Sequence, residues 1–254
     1  MYCFQCQEAA RNIACEISGV CGKTPDLANH MDVYKEVLKS LAKVNVEAKQ
    51  KGVGVKEVDE VIINGLFKLI TNANFNQVVF EVQIKKILKM REELKQKINH
   101  EMVNQVDTWS SLTVDEIVKN DFKVGTLQET DVDIRSMKEF IITGLMGMSA
   151  YVSHANHLNK FNQEITDFIS VALSELLNAE NQLEDYIKLL DKVGKYSLDA
   201  MALLDTANVS AYGSPQVSKV QLGVKKNPGI LITGHDLKDL EMLLEQTKDS
   251  GVDV

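Results

Sequence analysis

Six segments between Asp32 and Leu204 carry apolar residues at the spacing of one helix face, in a chain of 254 residues with only three prolines. Asp32–Lys51 places Val33, Val37, Leu41 and Val44 on one stripe, and the glycines of Lys51–Lys56 end it. Glu57–Thr71 repeats the period with Val58, Val61, Ile62, Leu66, Leu69 and Ile70; Asn76–Glu101 repeats it with Val79, Val82, Ile87, Leu94 and Ile98. An amphipathic helix has to bury its stripe against another, so three in succession predict a three-helix bundle. A second set follows: Asp133–Leu158, then Asn162–Leu177 opening on an Asn cap, then Asn181–Leu204. Between the sets, from about Asn104 to Asp131, the periodicity fades around Trp109. Thr113 and Glu116 there have capping-box spacing, which predicts one short helix. Gly144, Gly147 and Ala150 are small residues at helical spacing and predict close approach of a neighbouring helix.

The pattern changes at Asn208. Asn208–Gly229 is turn-rich and reads as non-helical, and Ile230–Thr233, "ILIT", has the look of a buried parallel strand. A helix then starts after Gly234, with Asp236 at the N-cap and Asp239 in the first turn, and the closing "GVDV" reads as a second strand. The predicted fold is therefore mainly α. A cysteine-rich loop (1–30) precedes a helical domain of two successive three-helix bundles (31–207), and the β-α-β start of an incomplete α/β domain follows (208–254).

All four cysteines fall within the first 21 positions, as C-x2-C-x8-C-x5-C: Cys3, Cys6, Cys15 and Cys21. The net charge of −8 argues against nucleic acid and against an anionic membrane surface. The most apolar run, Phe140–Val152, is short of the ~20 residues a membrane span needs. The first residues lack the basic start and apolar run of a secretory signal. These features predict a cytoplasmic protein, in which thiols stay reduced and clustered cysteines are metal ligands before they are disulfides. Four thiolates suit tetrahedral zinc or an iron–sulfur cluster. Structural zinc prefers two short knuckles, and only Cys3–Cys6 is one, so the wider gaps favour a [4Fe–4S] cube, with zinc the rival. Lys23 and the backbone amides of Gly19–Gly22 are placed to tune such a cluster.

Other candidates read more plainly. His154 and His157 lie three apart near a helix end with no carboxylate beside them in sequence; His30 reads as a residue at the start of the first helix, and His100 as solvated among charges. Met137, Met146 and Met148 read as core, and "KMREELKQK" (Lys89–Lys97) as an exposed face. The chain has neither the phosphate-cradling P-loop nor the dinucleotide glycine pattern.

The stretch "MYCFQCQEA…CEISGVCGKTPDL" resembles the N-terminus of the hybrid cluster protein family, also called prismane proteins or hydroxylamine reductases. Its cysteine spacing is similar to the anaerobe-type members, which carry a [4Fe–4S] cubane there. "GLMGMSAYVSHA" (Gly144–Ala155) is similar to a helical signature shared with the related carbon monoxide dehydrogenases. Tyr212–Val254 resembles the family's passage into its first α/β domain. The resemblance implies reduction of hydroxylamine to ammonia and water, and nitric oxide reduction as a further activity. It places that chemistry at a hybrid iron–sulfur–oxygen cluster held by one histidine, two glutamates and four cysteines. His235, in Gly234-His235-Asp236, is the histidine so implied. The partners implied are an electron-donor protein and a small nitrogen-oxide substrate, with a homo-oligomer left open. No cysteine follows Cys21. The expectation is a family N-terminal portion that relays electrons and does not by itself turn over hydroxylamine; the alternative is a non-enzymatic helical interaction module whose four cysteines hold a structural zinc.

Overall fold

The computed structural model describes residues 1–70, 73–100, 104–119 and 124–254. Its first helix, α1 (Pro25–Gln50), begins seven residues before the expected Asp32. Thr24 caps it, its Oγ1 accepting from the Leu27 amide at 3.2 Å, and Pro25 fits the first turn, where its missing N–H is no loss. Helices α2 (Lys56–Lys68) and α3 (Gln77–Lys97) follow as expected, although Thr71 and Glu101, the expected ends, lie outside the described residues. The short helix of the connection is α4 (Val114–Lys119). The Glu116 carboxylate accepts from the Thr113 amide at 2.7 Å and from its hydroxyl at 2.8 Å, while the Glu116 amide donates back to Thr113.

The second set is α5 (Val132–His157), α6 (Gln163–Glu175) and α7 (Leu183–Tyr212), followed by α8 (Leu237–Thr247). Asn162 caps α6 through the Ile165 amide, as its position predicts. Helix α7 runs well past the expected Leu204, so Asn208–Tyr212 is helical rather than turn-like. It ends at Gly213, whose φ of 82° no side chain favours.

The two helical sets expected as successive bundles share one hydrophobic core. Helix α1 packs on α2, α3 and α6, while α5 packs on α7 and α2, so the chain order of the sets is interleaved in space. Val33, Tyr34, Val37, Leu38, Leu41 and Ala48 of α1 are fully buried, and Tyr34 meets Phe80 of α3 edge-on with ring centroids 5.2 Å apart. A polar bridge crosses the same seam: Asn45 donates to Asp59 at 2.8 Å and to Ser170 at 3.3 Å, and Lys49 pairs with Asp59 and Asp167.

Gly144 is where α7 comes close to α5: a Cβ there would lie 2.7 Å from Val193 Cγ1. Valine is stiff at χ1 in a helix and cannot swing away. At Gly147 a Cβ would meet nothing within 4 Å. Gly144→Ala is therefore expected to cost about 1–3 kcal/mol by overpacking. Gly147→Ala is expected to gain about 0.5–1 kcal/mol from helix propensity. Urea unfolding of the two variants side by side checks both signs.

The expected β-α-β unit is present only as its helix. Ile230–Thr233 forms no strand, and its link to the closing residues is a single parallel bridge between Gly229 and Asp253. The Ile230 amide donates to the Asp253 carbonyl at 2.8 Å, and the Asp253 amide to the Pro228 carbonyl at 2.9 Å. Parallel pairs persist when covered on both faces. Here Leu231 is 93% exposed, and Ile230 and Ile232 are only partly covered.

Candidate metal centre

The first 24 residues form a loop tied across its base. Cys3 and Cys15 exchange both backbone hydrogen bonds, at 3.1 and 2.7 Å, as an isolated antiparallel bridge. The chain between them turns at Cys6–Ala9 and again at Arg11 and Asn12, both left-handed with φ of 59° and 56°. That turn brings the Ala10 amide to 3.5 Å from the Cys15 sulfur, to which it donates. After Cys15 a further turn returns the chain: the Gly22 amide donates to the Gly19 carbonyl at 2.9 Å, and the Gly19 amide to the Lys23 carbonyl at 2.8 Å. A Cβ on Gly19 would lie 3.1 Å from the Cys21 sulfur and 2.9 Å from Lys23 Cβ, so only glycine leaves room there.

All four thiols are free. Cys15 is buried, Cys3 and Cys6 are half-buried, and Cys21 is exposed. The backbone amides of Val20 and then Ala10 hold the Cys15 thiol below its ordinary range; burial opposes them and the Lys23 charge assists. Lys23 is itself buried, its Nζ 3.8 Å from the Cys3 sulfur and 3.3 Å from Gln5 Oε1. Gln5 in turn pins the loop to the bundle. Its Nε2 donates to the Leu69 carbonyl at the end of α2 at 2.6 Å and approaches Met146 Sδ of α5 at 3.8 Å. Among the described residues no three Cys, His, Asp or Glu side chains are close enough to share a single ion. The donor set still fits an iron–sulfur group: four free thiols on one loop, amides directed at the Cys15 sulfur, a glycine cradle beside Cys21 and a cation beside Cys3.

His235 is exposed, between Gly234 (φ 154°) and the cap of α8. Asp236 Oδ1 caps that helix, accepting from the Lys238 amide at 2.9 Å, while Oδ2 lies 3.0 Å from His154 Nδ1 on α5. The His154 ring stands edge-on to His235, centroids 6.0 Å apart, and to Phe67 of α2 at 5.3 Å. The carboxylate missing beside His154 in sequence thus arrives from Asp236 across the fold, while His157 stays exposed. The two histidines look alike in "SHANH", and nothing local to that stretch signals which one finds a partner.

His30 lies near the start of α1, as its sequence reading has it, and is buried there, its ring nitrogens 2.7 Å from the Asp26 carbonyl and 3.0 Å from Glu81. Two other residues depart from their sequence reading. His100 is not solvated: its side chain is 4% exposed and pairs with Glu47. Arg91, in the Lys89–Lys97 stretch expected to be exposed, is fully buried. The methionine stripe is core as expected, with Met146 and Met148 buried and Met137 packed against the core.

Residues 1–254 match the family model described as the Prismane/CO dehydrogenase family. The hydroxylamine reductase of Clostridium tetani is 43% identical over 283 aligned positions, covering 100% of this chain and 50% of that protein. The hydroxylamine reductase of Caldanaerobacter subterraneus subsp. tengcongensis is also 43% identical, with 100% and 48% covered; that of Bacteroides fragilis is 42% identical, with 100% and 47% covered. The chain spans about half the length of these curated relatives.

Proposed function

The chain belongs to the Prismane/CO dehydrogenase family, and from that premise we propose that it is the electron-relay portion of a hydroxylamine reductase. In this reading Cys3, Cys6, Cys15 and Cys21 hold a [4Fe–4S] cluster. Residues 1–30 are its loop, 31–207 the helical domain that carries it, and 208–254 the approach to an α/β domain. The observation that carries the reading is the loop itself, which holds every cysteine of the chain, ties Cys3 to Cys15 through the backbone and directs amides at the Cys15 sulfur.

When bound, such a cluster stores and passes single electrons, since four thiolates leave no iron position open to substrate. The protein's residues do the rest. The Ala10 amide and the Lys23 ammonium neutralise charge at sulfur, and the Gly19 turn keeps side-chain bulk away from Cys21. Exposed Cys21 marks the side open to an electron-donor protein. His235 is proposed as one ligand of the hybrid cluster, with Asp236 and His154 fixing the segment that presents it. The overall reaction, hydroxylamine with two electrons and two protons giving ammonia and water, needs ligands that have no counterpart among these residues, since no cysteine follows Cys21. The proposed setting is the cytoplasm; among the described residues no helix is long and apolar enough to cross a membrane.

The test is anaerobic reconstitution of the 254-residue chain with iron and sulfide. The expected product is brown, with about four irons and four acid-labile sulfides per chain, and it does not reduce hydroxylamine from a reduced dye. A colourless protein with about one tightly held zinc would instead support a helical interaction module. Turnover at the rate of a full-length relative would refute the relay-only role.

A further inference from the structure

Lysine is rarely buried without a charged partner, because taking an ammonium out of water is costly unless an opposite charge meets it. Lys23 is 3% exposed. Among the described residues its Nζ makes no ion pair with a carboxylate; it faces the Cys3 sulfur at 3.8 Å and the neutral Gln5 amide oxygen at 3.3 Å. The carboxylates lining the same cavity have other partners: Asp32 pairs with Lys35 at 2.7 Å and Glu139 accepts from the Thr126 hydroxyl at 2.9 Å, and both charges favour the Lys35 ammonium against burial.

The position of Lys23 is over-determined. Its carbonyl accepts from the Gly19 amide, which fixes it to the turn carrying Cys21. Gln5 is clamped by the Leu69 carbonyl through its Nε2, so its Oε1 stays aimed at the ammonium. The charge therefore cannot withdraw to solvent, and at 3% exposure its field is screened less than that of a surface lysine.

We propose that Lys23 is a tuning residue for the cluster on the four cysteines, raising its reduction potential by stabilising the form that carries the extra electron. This rests on reading those cysteines as [4Fe–4S] ligands. The two redox forms differ by one electron, delivered by the external reductant, and no protein bond forms or breaks. A fixed positive charge beside a thiolate ligand favours the more negative of the two forms, which sets the sign.

The experiment is a dye-mediated redox titration of the reconstituted 254-residue chain, followed by visible absorbance and electron paramagnetic resonance. Lys23→Gln removes the charge. Gln5→Glu keeps the Lys23 residue and sets a carboxylate against its ammonium, in exchange for the Nε2 bond to the Leu69 carbonyl. Both are expected to load iron and sulfide like the unaltered chain and to lower the reduced-to-oxidised ratio at fixed potential about tenfold, a negative shift of about 59 mV for one electron. Lys23→Arg is expected to stay near the unaltered value. An unchanged midpoint in either neutralised variant overturns the proposal. So does loss of loading in both while Lys23→Arg loads, because Lys23 would then hold the loop rather than tune it. If the unaltered chain takes up no iron, the relay reading itself fails, and that result is distinct from a loaded cluster with an unmoved potential.

Discussion

Replacing Asp107 with alanine is expected to destabilise the fold by about 3 kcal/mol, the lower end of what breaking a buried ion pair costs. Arg91 is 0% exposed, and its Nη1 meets Asp107 Oδ1 at 2.5 Å. Its other contacts are Ser40 at 2.6 Å, Asn104 at 3.4 Å and the more exposed Glu92 at 2.6 Å. Without Asp107 the guanidinium keeps Glu92 as its only carboxylate partner among the described residues. Lys95, which also pairs with Asp107, then competes with Arg91 for the same Glu92 carboxylate, from which it lies 3.8 Å. Trp109 is the single tryptophan, fully buried two residues away, and its fluorescence in urea reports the loss.

The same pair has a pH signature. Burial alone would raise the Asp107 pKa. Hydrogen bonds from Arg91, Lys95 and the Asn104 amide outweigh it and hold the value at about 2, below the ordinary 3.8. The unfolded chain therefore binds the proton first as pH falls. The stabilisation is complete above about pH 4 and is lost between about 4 and 2, roughly 2 kcal/mol in all. The gap between the unaltered chain and Asp107→Ala should narrow over that window. A gap that stays constant down to pH 2 would remove the ion pair as its cause.

Cys15→Ala is the second change expected to have a large effect, on cofactor rather than on fold. Cys15 is the only fully buried thiol of the four, and it stands at the base where the loop closes on Cys3. Its amide-directed sulfur is the thiol the loop presents with least freedom to move. Alanine keeps both backbone hydrogen bonds and removes only the sulfur. The variant should fold as before by circular dichroism, yet retain less than about a tenth of the iron, sulfide and visible absorbance of the unaltered chain after the same reconstitution. Full loading would show that Cys15 is not a ligand.

Much of the helical architecture is legible in the sequence because each stripe has to be buried, and the caps at Asn162, Thr113 and Asp236 are legible because short polar side chains solve a local problem. Thr24-Pro25 carries the same kind of signal for α1, masked by its closeness to the cysteines. The end of α7 reads falsely as a turn because Asn, Val and Ser have weak helix propensity. Packing overrides that preference: Ala207 is buried, and Gly213 marks the true stop. The interleaving of the two helical sets is not readable from periodicity, which shows that a stripe is buried but not against what. Arg91, His100 and His154 escape for one shared reason. Each owes its environment to a partner distant in sequence, Asp107, Glu47 and Asp236, and a one-dimensional pattern has no access to such pairs. The cysteine grouping is plain from spacing, while the buried lysine against it needs the fold.

Helix α5 meets the cysteine loop at Met146 and the histidine segment at His154, two turns apart, or roughly 12 Å along its axis. One continuous helix is therefore the common ruler for both ends of the candidate redox path. A residue inserted between those positions would lengthen the gap only slightly, but it would rotate His154 by about 100° away from Asp236. The length of that stretch is thus constrained more by angle than by distance.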